Sequence, residues 1–164
     1  LHSNGYMQCA LVLQHPAHAE ALGRALADAV RGLDVQAVLS PALGGLIIGH
    51  EVARGLGVRA IFAERQEGAL TLRRGFSLSP GERVLIVEDV VTTGGSTRET
   101  MVVAQAAGAQ VVGAAAIINR GGEVALGVPF HALATVSFPT WPEEAIPDWL
   151  AAIPVTKPGS RKLG

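Results

Sequence analysis

Cysteine is almost missing from this chain: Cys9 stands alone among 164 residues. A disulfide framework within the chain is therefore excluded, as is a cysteine-rich zinc site. A reducing cytoplasm is the simplest compartment. Aromatic residues make up only 4%. Lysine occurs only at Lys157 and Lys162. Net charge is also lacking, at -1, which argues against a general binder of nucleic acid or membrane surfaces. No apolar run is long enough to span a bilayer, Val111–Ile118 being typical. No basic-then-apolar leader opens the sequence. Its start at Leu1 without methionine gives the expectation that residues precede it.

What is present is a core-forming sequence. Hydrophobic residues are 49% of the chain, dominated by Ala, Val and Leu, with Gly abundant beside them. That mix suits helices packed closely on a mostly parallel sheet, an α/β fold. The length suits one domain, expected over residues 1–156. Residues 157–164 carry Pro, Gly and basic character and read as a flexible tail.

Along the chain, Gly5–Leu13 reads as extended. Pro16 opens a helix whose apolar face is expected at Leu22, Leu26, Ala29 and Leu33. Val35–Leu39 is a short buried strand that runs into the turn-like Ser40–Gly45, SPALGG. A helix over 46–56 and a strand over Arg59–Ala63 follow. Glu64–Gly81 carries Glu64, Arg65, Glu67, Arg73 and Arg74, and reads as a loop or hairpin over a site. Arg83–Val87 is a strong buried strand. Ser96 and Glu99 have the spacing of a capping box, so a helix is expected from about Ser96 to Gly108. Gln110–Ile118 and His131–Phe138 are further strands. Strands alternating with helices give a parallel sheet.

The chemistry concentrates in Val84–Thr97, VLIVEDVVTTGGST. In parallel α/β sheets, ligands sit beyond the carboxyl ends of the strands. Glu88 and Asp89 are expected at that edge. Gly94 and Gly95 allow close approach and positive φ. Free N–H groups at a helix start favour an anion, and Thr92, Thr93, Ser96 and Thr97 add hydroxyls. A monophosphate pocket beside two acids results. The acids suit ribose hydroxyls or a hydrated Mg²⁺ ion. Phosphate at one end and a diol at the other describe a ribose 5-phosphate. The P-loop signature is absent, and so is the dinucleotide fingerprint. Glycines can serve a bare strand–turn–helix junction, but two acids after an apolar strand favour a ligand site.

This segment resembles the 5-phosphoribosyl 1-diphosphate (PRPP) motif of type I phosphoribosyltransferases. Further segments resemble orotate phosphoribosyltransferases over most of the chain: Leu1–Gln8 (LHSNGYMQ), SPALGG, Phe62–Phe76 (FAERQEGALTLRRGF), Ile117–Gly121 (IINRG) and Pro139–Ala145 (PTWPEEA). The resemblance implies the type I fold, with residues 1–13 part of a small hood and 64–81 a mobile active-site loop. It implies PRPP contacts from Arg65, Glu88, Asp89, Val90, Val91, Thr92, Thr93, Gly94, Gly95 and Ser96. Orotate would meet Thr92, Arg120, Tyr6 and Met7, the arginine binding its carboxylate. Arg65, Arg73, Arg74, Glu88 and Asp89 are the implied catalytic set. Mg²⁺ would arrive with PRPP, with no direct protein ligand. A homodimer with shared active sites is also implied. Two departures stand out: the loop lacks the family's lysine and histidine, and Gly44 stands where many members have lysine.

A purine-base phosphoribosyltransferase and a non-catalytic PRPP-sensing regulator are the competing readings. Arg120 separates the first from orotate chemistry, since a purine needs no carboxylate partner. The scattered His2, His15, His18, His50 and His131 have no metal-ligand spacing; His15 and His18 suit a capping or surface role. Cys9 reads as an inert buried thiol, and Trp141 and Trp149 as anchors of the C-terminal segment.

Overall fold

The first strand, β1 (His2–Ser3), pairs antiparallel with one near the far end of the chain, Thr140–Trp141. Between them run α1 (Ala10–Leu13), α2 (Pro16–Val30), β2 (Ala37–Pro41), α3 (Gly45–Leu56), β3 (Arg59–Gln66), β4 (Ala69–Leu72), β5 (Arg83–Val91), α4 (Gly95–Ala106), β6 (Gln110–Asn119) and β7 (Phe130–Thr135). The strand Thr140–Trp141 is then β8, and α5 (Asp148–Ala151) follows. This is a computed structural model, and it describes residues 2–155. The expected tail at 157–164, both lysines and whatever concerns Leu1 lie outside the described residues.

Two compact units result. The larger spans Cys9–Val136, and the smaller joins the N-terminal residues up to Gln8 to those from Ser137 on. The smaller unit thus holds both terminal segments. In it the ring of Phe138 packs against Gly5, leaving no room for a side chain there. Trp141 and Trp149 meet edge to face at 5.8 Å.

The larger unit is built on a sheet of order β4-β3-β2-β5-β6-β7. Every neighbouring pair is parallel except β3–β4. From β2 the chain passes through α3 to β3 on one side. From β5 it passes through α4 to β6 on the other. Right-handed crossovers in opposite directions put the two helices on opposite faces. Side-chain alternation along β2 agrees. Val38 and Ser40 lie against Gly49 of α3, while Ala37 and Leu39 join the apolar cluster that includes Met101 and Ala104 of α4. All five residues of β2 are buried, which is why it reads as an apolar run rather than an alternating one.

Three sequence expectations are corrected. Residues 10–13 are helical, not extended. Cys9 and Leu13, both 3% exposed, bury together at i, i+4 spacing. The buried stripe of α2 is Ala19, Gly23, Leu26, Ala27 and Val30. Of the expected apolar face, Leu26 is in it, Ala29 is exposed, and Leu22 and Leu33 are half-buried. The stripe is rotated because α2 packs tightly on α3: Gly23 abuts Glu51, and Ala27 abuts Gly55. The third concerns β5, which continues to Val91. Its ladder with β6 runs on to the pair Val91–Asn119, so the acid pair lies within the strand rather than after it.

Candidate active site

The sheet order fixes where a ligand belongs. Consecutive crossovers leave in opposite directions from β2 and β5, which are neighbours. Their carboxyl ends therefore form a topological switch point, the usual crevice of an open α/β sheet. One side of it is the Pro41–Gly45 turn into α3, which contains a cis peptide between Ala42 and Leu43. The other side is the end of β5. The two sides are close, because a Cβ placed on Gly44 would lie 2.7 Å from an Asp89 carboxylate oxygen. Any side chain at position 44 would therefore require Asp89 to shift, since the backbone fixes where its Cβ lies.

Glu88 is only 8% exposed. Thr97 donates its hydroxyl to the Glu88 carboxylate at 2.9 Å. Burial still dominates and pushes the Glu88 carboxyl up to about 7. Burial also raises Asp89, against the lowering effect of the Val90 N–H, which donates to its carboxylate. Among the described residues no group of three His, Cys, Asp or Glu side chains could cage a metal. Asp89, the half-buried carboxylate facing the crevice, fits a Mg²⁺ that keeps its waters and is held mainly by substrate phosphates. Cys9 lies behind this site, with its Sγ 4.0 Å from the Asp89 carbonyl. Desolvation pushes that thiol up to about 11, so the expectation of an inert buried thiol stands, although Cys9 caps a helix rather than lying in a strand.

Thr92, Thr93 and Gly94 connect β5 to α4. Gly94 is the N-cap, at φ +76°. A Cβ there would meet Val124 at 2.8 Å, so glycine is required both by conformation and by space. The first backbone N–H to donate back to the cap is that of Arg98, to the Gly94 carbonyl. The N–H groups ahead of it are left to face an anion. The capping box is not formed: Ser96 and Thr97 already lie in the helix, which starts at Gly95. Val91 is core, so it can contribute to a ligand only through its backbone.

Arg120 is brought directly to this loop. Its N–H donates to the Val91 carbonyl at 2.7 Å. Gly121 then passes so close to the Thr92 carbonyl that any side chain would collide with it. Asn119 pins the turn, accepting from the Gly121 N–H and donating to the Gly122 carbonyl. Arg98 is a further member of the site. Its guanidinium donates to the Thr93 carbonyl at 2.7 Å and to the Ala125 carbonyl at 3.0 Å. Sequence reasoning passed over Gly121 and Arg98. Arg98 did carry a signal: a cation in a helix's first turn opposes the macrodipole and calls for a specific partner.

The segment 64–81 begins as an ordered hairpin. Gln66 pairs with Ala69, and the two turn residues, Glu67 and Gly68, both have positive φ, as a two-residue primed turn requires. Arg65 is engaged by both carboxylate oxygens of Glu99, at 3.0 and 2.6 Å, and by the Gly68 carbonyl. Glu99 also accepts from the Leu70 N–H, which explains its absence from the capping box. Arg74 pairs with both oxygens of Glu64 and lies over the Phe62 ring. Arg73 is exposed. The structure thus places Arg65 and Arg74 in internal ion pairs. Tyr6 and Met7 belong to the smaller unit.

Comparison with known proteins agrees with this geometry. Residues 10–126 match the family model of the phosphoribosyl transferase domain. The orotate phosphoribosyltransferase of Pelotomaculum thermopropionicum is 53% identical, across 99% of this chain and 86% of that protein. The chain belongs to the orotate phosphoribosyltransferase family. The orotate phosphoribosyltransferase of Erythrobacter litoralis is 52% identical, over 98% of this chain and 85% of its own. Among solved structures, the Mycobacterium tuberculosis orotate phosphoribosyltransferase in complex with PRPP aligns with a TM-score of 0.69 at 23% identity, covering 82% of each chain. An adenine phosphoribosyltransferase from Thermoanaerobacter pseudethanolicus gives 0.69 at 18% identity, over 80% of this chain and 88% of that one. At such identities these two establish the fold alone, type I phosphoribosyltransferase, and do not distinguish an orotate from an adenine enzyme.

Proposed function

We infer that this chain transfers the 5-phosphoribosyl group of PRPP to N1 of orotate, forming orotidine 5′-monophosphate and pyrophosphate in pyrimidine biosynthesis. The observation that carries the reading is the meeting of three parts at one strand end. These are the buried acid pair of β5, the loop into the start of α4, and the turn bearing Arg120, held to Val91 by a 2.7 Å hydrogen bond.

In the proposed step the N1 lone pair bonds to C1 of the ribose. The bond from C1 to the pyrophosphate oxygen breaks, and that oxygen keeps the electron pair. The N1 proton passes to solvent. Positive charge builds on the ribose ring while the leaving group becomes more negative. A Mg²⁺ bound to PRPP would balance that negative charge. Glu88 and Asp89 position the ribose hydroxyls, and Asp89 would hold a PRPP-bound Mg²⁺ through water. Thr92–Ser96 receive the 5-phosphate. Arg120 holds the orotate carboxylate, aided by Thr92. Arg73 supplies the cation of the 64–81 segment, because Arg65 and Arg74 are occupied by Glu99 and Glu64. That segment excludes water, which would otherwise hydrolyse PRPP. A homodimer in the cytoplasm completes the reading; no helix among the described residues is long and apolar enough to cross a membrane.

The test is a turnover assay with purified protein, PRPP, Mg²⁺ and orotate. Orotate absorbance should fall. Arg120→Ala should raise the orotate KM on the order of 30-fold, as expected for losing a charge-assisted pair, and leave the PRPP KM within about twofold. Equal effects on both constants would refute the role given to Arg120.

A further inference from the structure

The loop between β5 and α4 is held from outside by one side chain. Arg98 sits in the first turn of α4, where the helix dipole disfavours a cation. Its guanidinium spans two carbonyls from different parts of the chain, Thr93 of the loop and Ala125 of the segment after β6. Ala125 lies five residues past Arg120, so the two halves of the site are linked through Arg98.

The direction of the Thr93 carbonyl matters for binding. It belongs to the Thr93–Gly94 peptide, and the only cis peptide among the described residues is Ala42–Leu43. In a planar trans peptide the C=O and N–H point opposite ways. Drawing the Thr93 oxygen toward Arg98 therefore turns the Gly94 N–H away from it. No acceptor for that N–H is found among the described residues. The packing of Val124 and Leu126 against Gly94 keeps the same peptide from moving toward them.

We propose that Arg98 is a positioning residue for phosphoribosyl transfer: by holding the Thr93 carbonyl outward against Ala125, it aims the Gly94 N–H at the 5-phosphate of PRPP. This rests on the reading that the loop receives that phosphate. Arg98 acts through the Thr93–Gly94 peptide and need not touch substrate. Without it the peptide is free to rotate, and a carbonyl dipole then faces the phosphate in place of an N–H.

The test measures binding of ribose 5-phosphate, and separately of pyrophosphate with Mg²⁺, by calorimetry on the wild type, Arg98→Ala and Arg98→Lys. Ribose 5-phosphate affinity should fall about tenfold in Arg98→Ala, the equivalent of one net hydrogen bond. It should fall less in Arg98→Lys, which can still donate to one carbonyl. Pyrophosphate, which has no 5-phosphate to meet the β5–α4 loop, should change less than twofold. Millimolar guanidinium, but not sodium chloride at equal ionic strength, should restore ribose 5-phosphate binding to Arg98→Ala. Unchanged affinity in the alanine variant, or equal losses for both ligands without guanidinium rescue, overturns the proposal. A wild type that binds neither ribose 5-phosphate nor PRPP overturns the functional reading beneath it, a result distinct from failure of the clamp.

Discussion

At the scale of single residues, the acid pair was legible in the sequence and its environment was not. Two carboxylates after an apolar run pointed to a ligand site, but their burial has two sources: Glu88 lies against Thr97 of α4, and Asp89 against Gly44 of the turn into α3. Thr97, nine positions on, turns back to bond Glu88. Burial raises the Glu88 carboxyl from an ordinary 4.5 to about 7. Between those values the folded state holds this proton more tightly than the unfolded chain does. Stability from this group is therefore full below about pH 4.5 and is lost as pH rises toward 7. Glu88→Gln keeps an acceptor for Thr97 and removes the titration. In denaturant unfolding at several pH values, the wild type should lose stability relative to this variant across that window, on the order of 3 kcal/mol in total. Parallel profiles for the two proteins would show that Glu88 titrates alike in both states. Gly121 was illegible for a different reason. Nothing local demands glycine there; the demand comes from the Thr92 carbonyl on another strand end.

At the scale of elements, parallel strands and their helices followed from apolar runs, glycines and prolines. The misreadings came where tertiary contacts outvoted local pattern. Ser96 and Glu99 have capping-box spacing, yet Glu99 is taken by Arg65 and the Leu70 N–H across the β3–β4 hairpin. The hairpin was one of two readings of this segment, loop or hairpin, because Glu67-Gly68 is a weak turn signal beside Asn-Gly or Asp-Gly. The structure makes Glu99 the fastener of this hairpin to α4. In Glu99→Gln the amide backbone of residues 67–72 should exchange hydrogen markedly faster, while α2 keeps its protection. Exchange rates unchanged in 67–72 would mean that sheet pairing alone holds the hairpin. The same variant should leave the affinity for ribose 5-phosphate unaltered, since the β5–α4 loop is held by Arg98 instead.

At the scale of the whole molecule, strand order was the information the sequence did not contain. Alternating elements implied a parallel sheet, but only the order β4-β3-β2-β5-β6-β7 places the switch point between β2 and β5. That order brings Gly44 to Asp89 and gives the acid pair a crevice. Orotate as acceptor is a property of the assembled site and of kinship. A purine has no carboxylate to bind, so in the proposed reading it is Arg120, just past the end of β6, that would select orotate. The most direct measurement is therefore a mixed-acceptor reaction. The purified protein is supplied with PRPP, Mg²⁺ and equal concentrations of orotate, adenine, hypoxanthine, guanine and xanthine, and the nucleotides formed are separated by chromatography. The account predicts orotidine 5′-monophosphate as the one nucleotide product, with a matching amount of pyrophosphate. A purine nucleotide in its place, or no nucleotide at all, would contradict it.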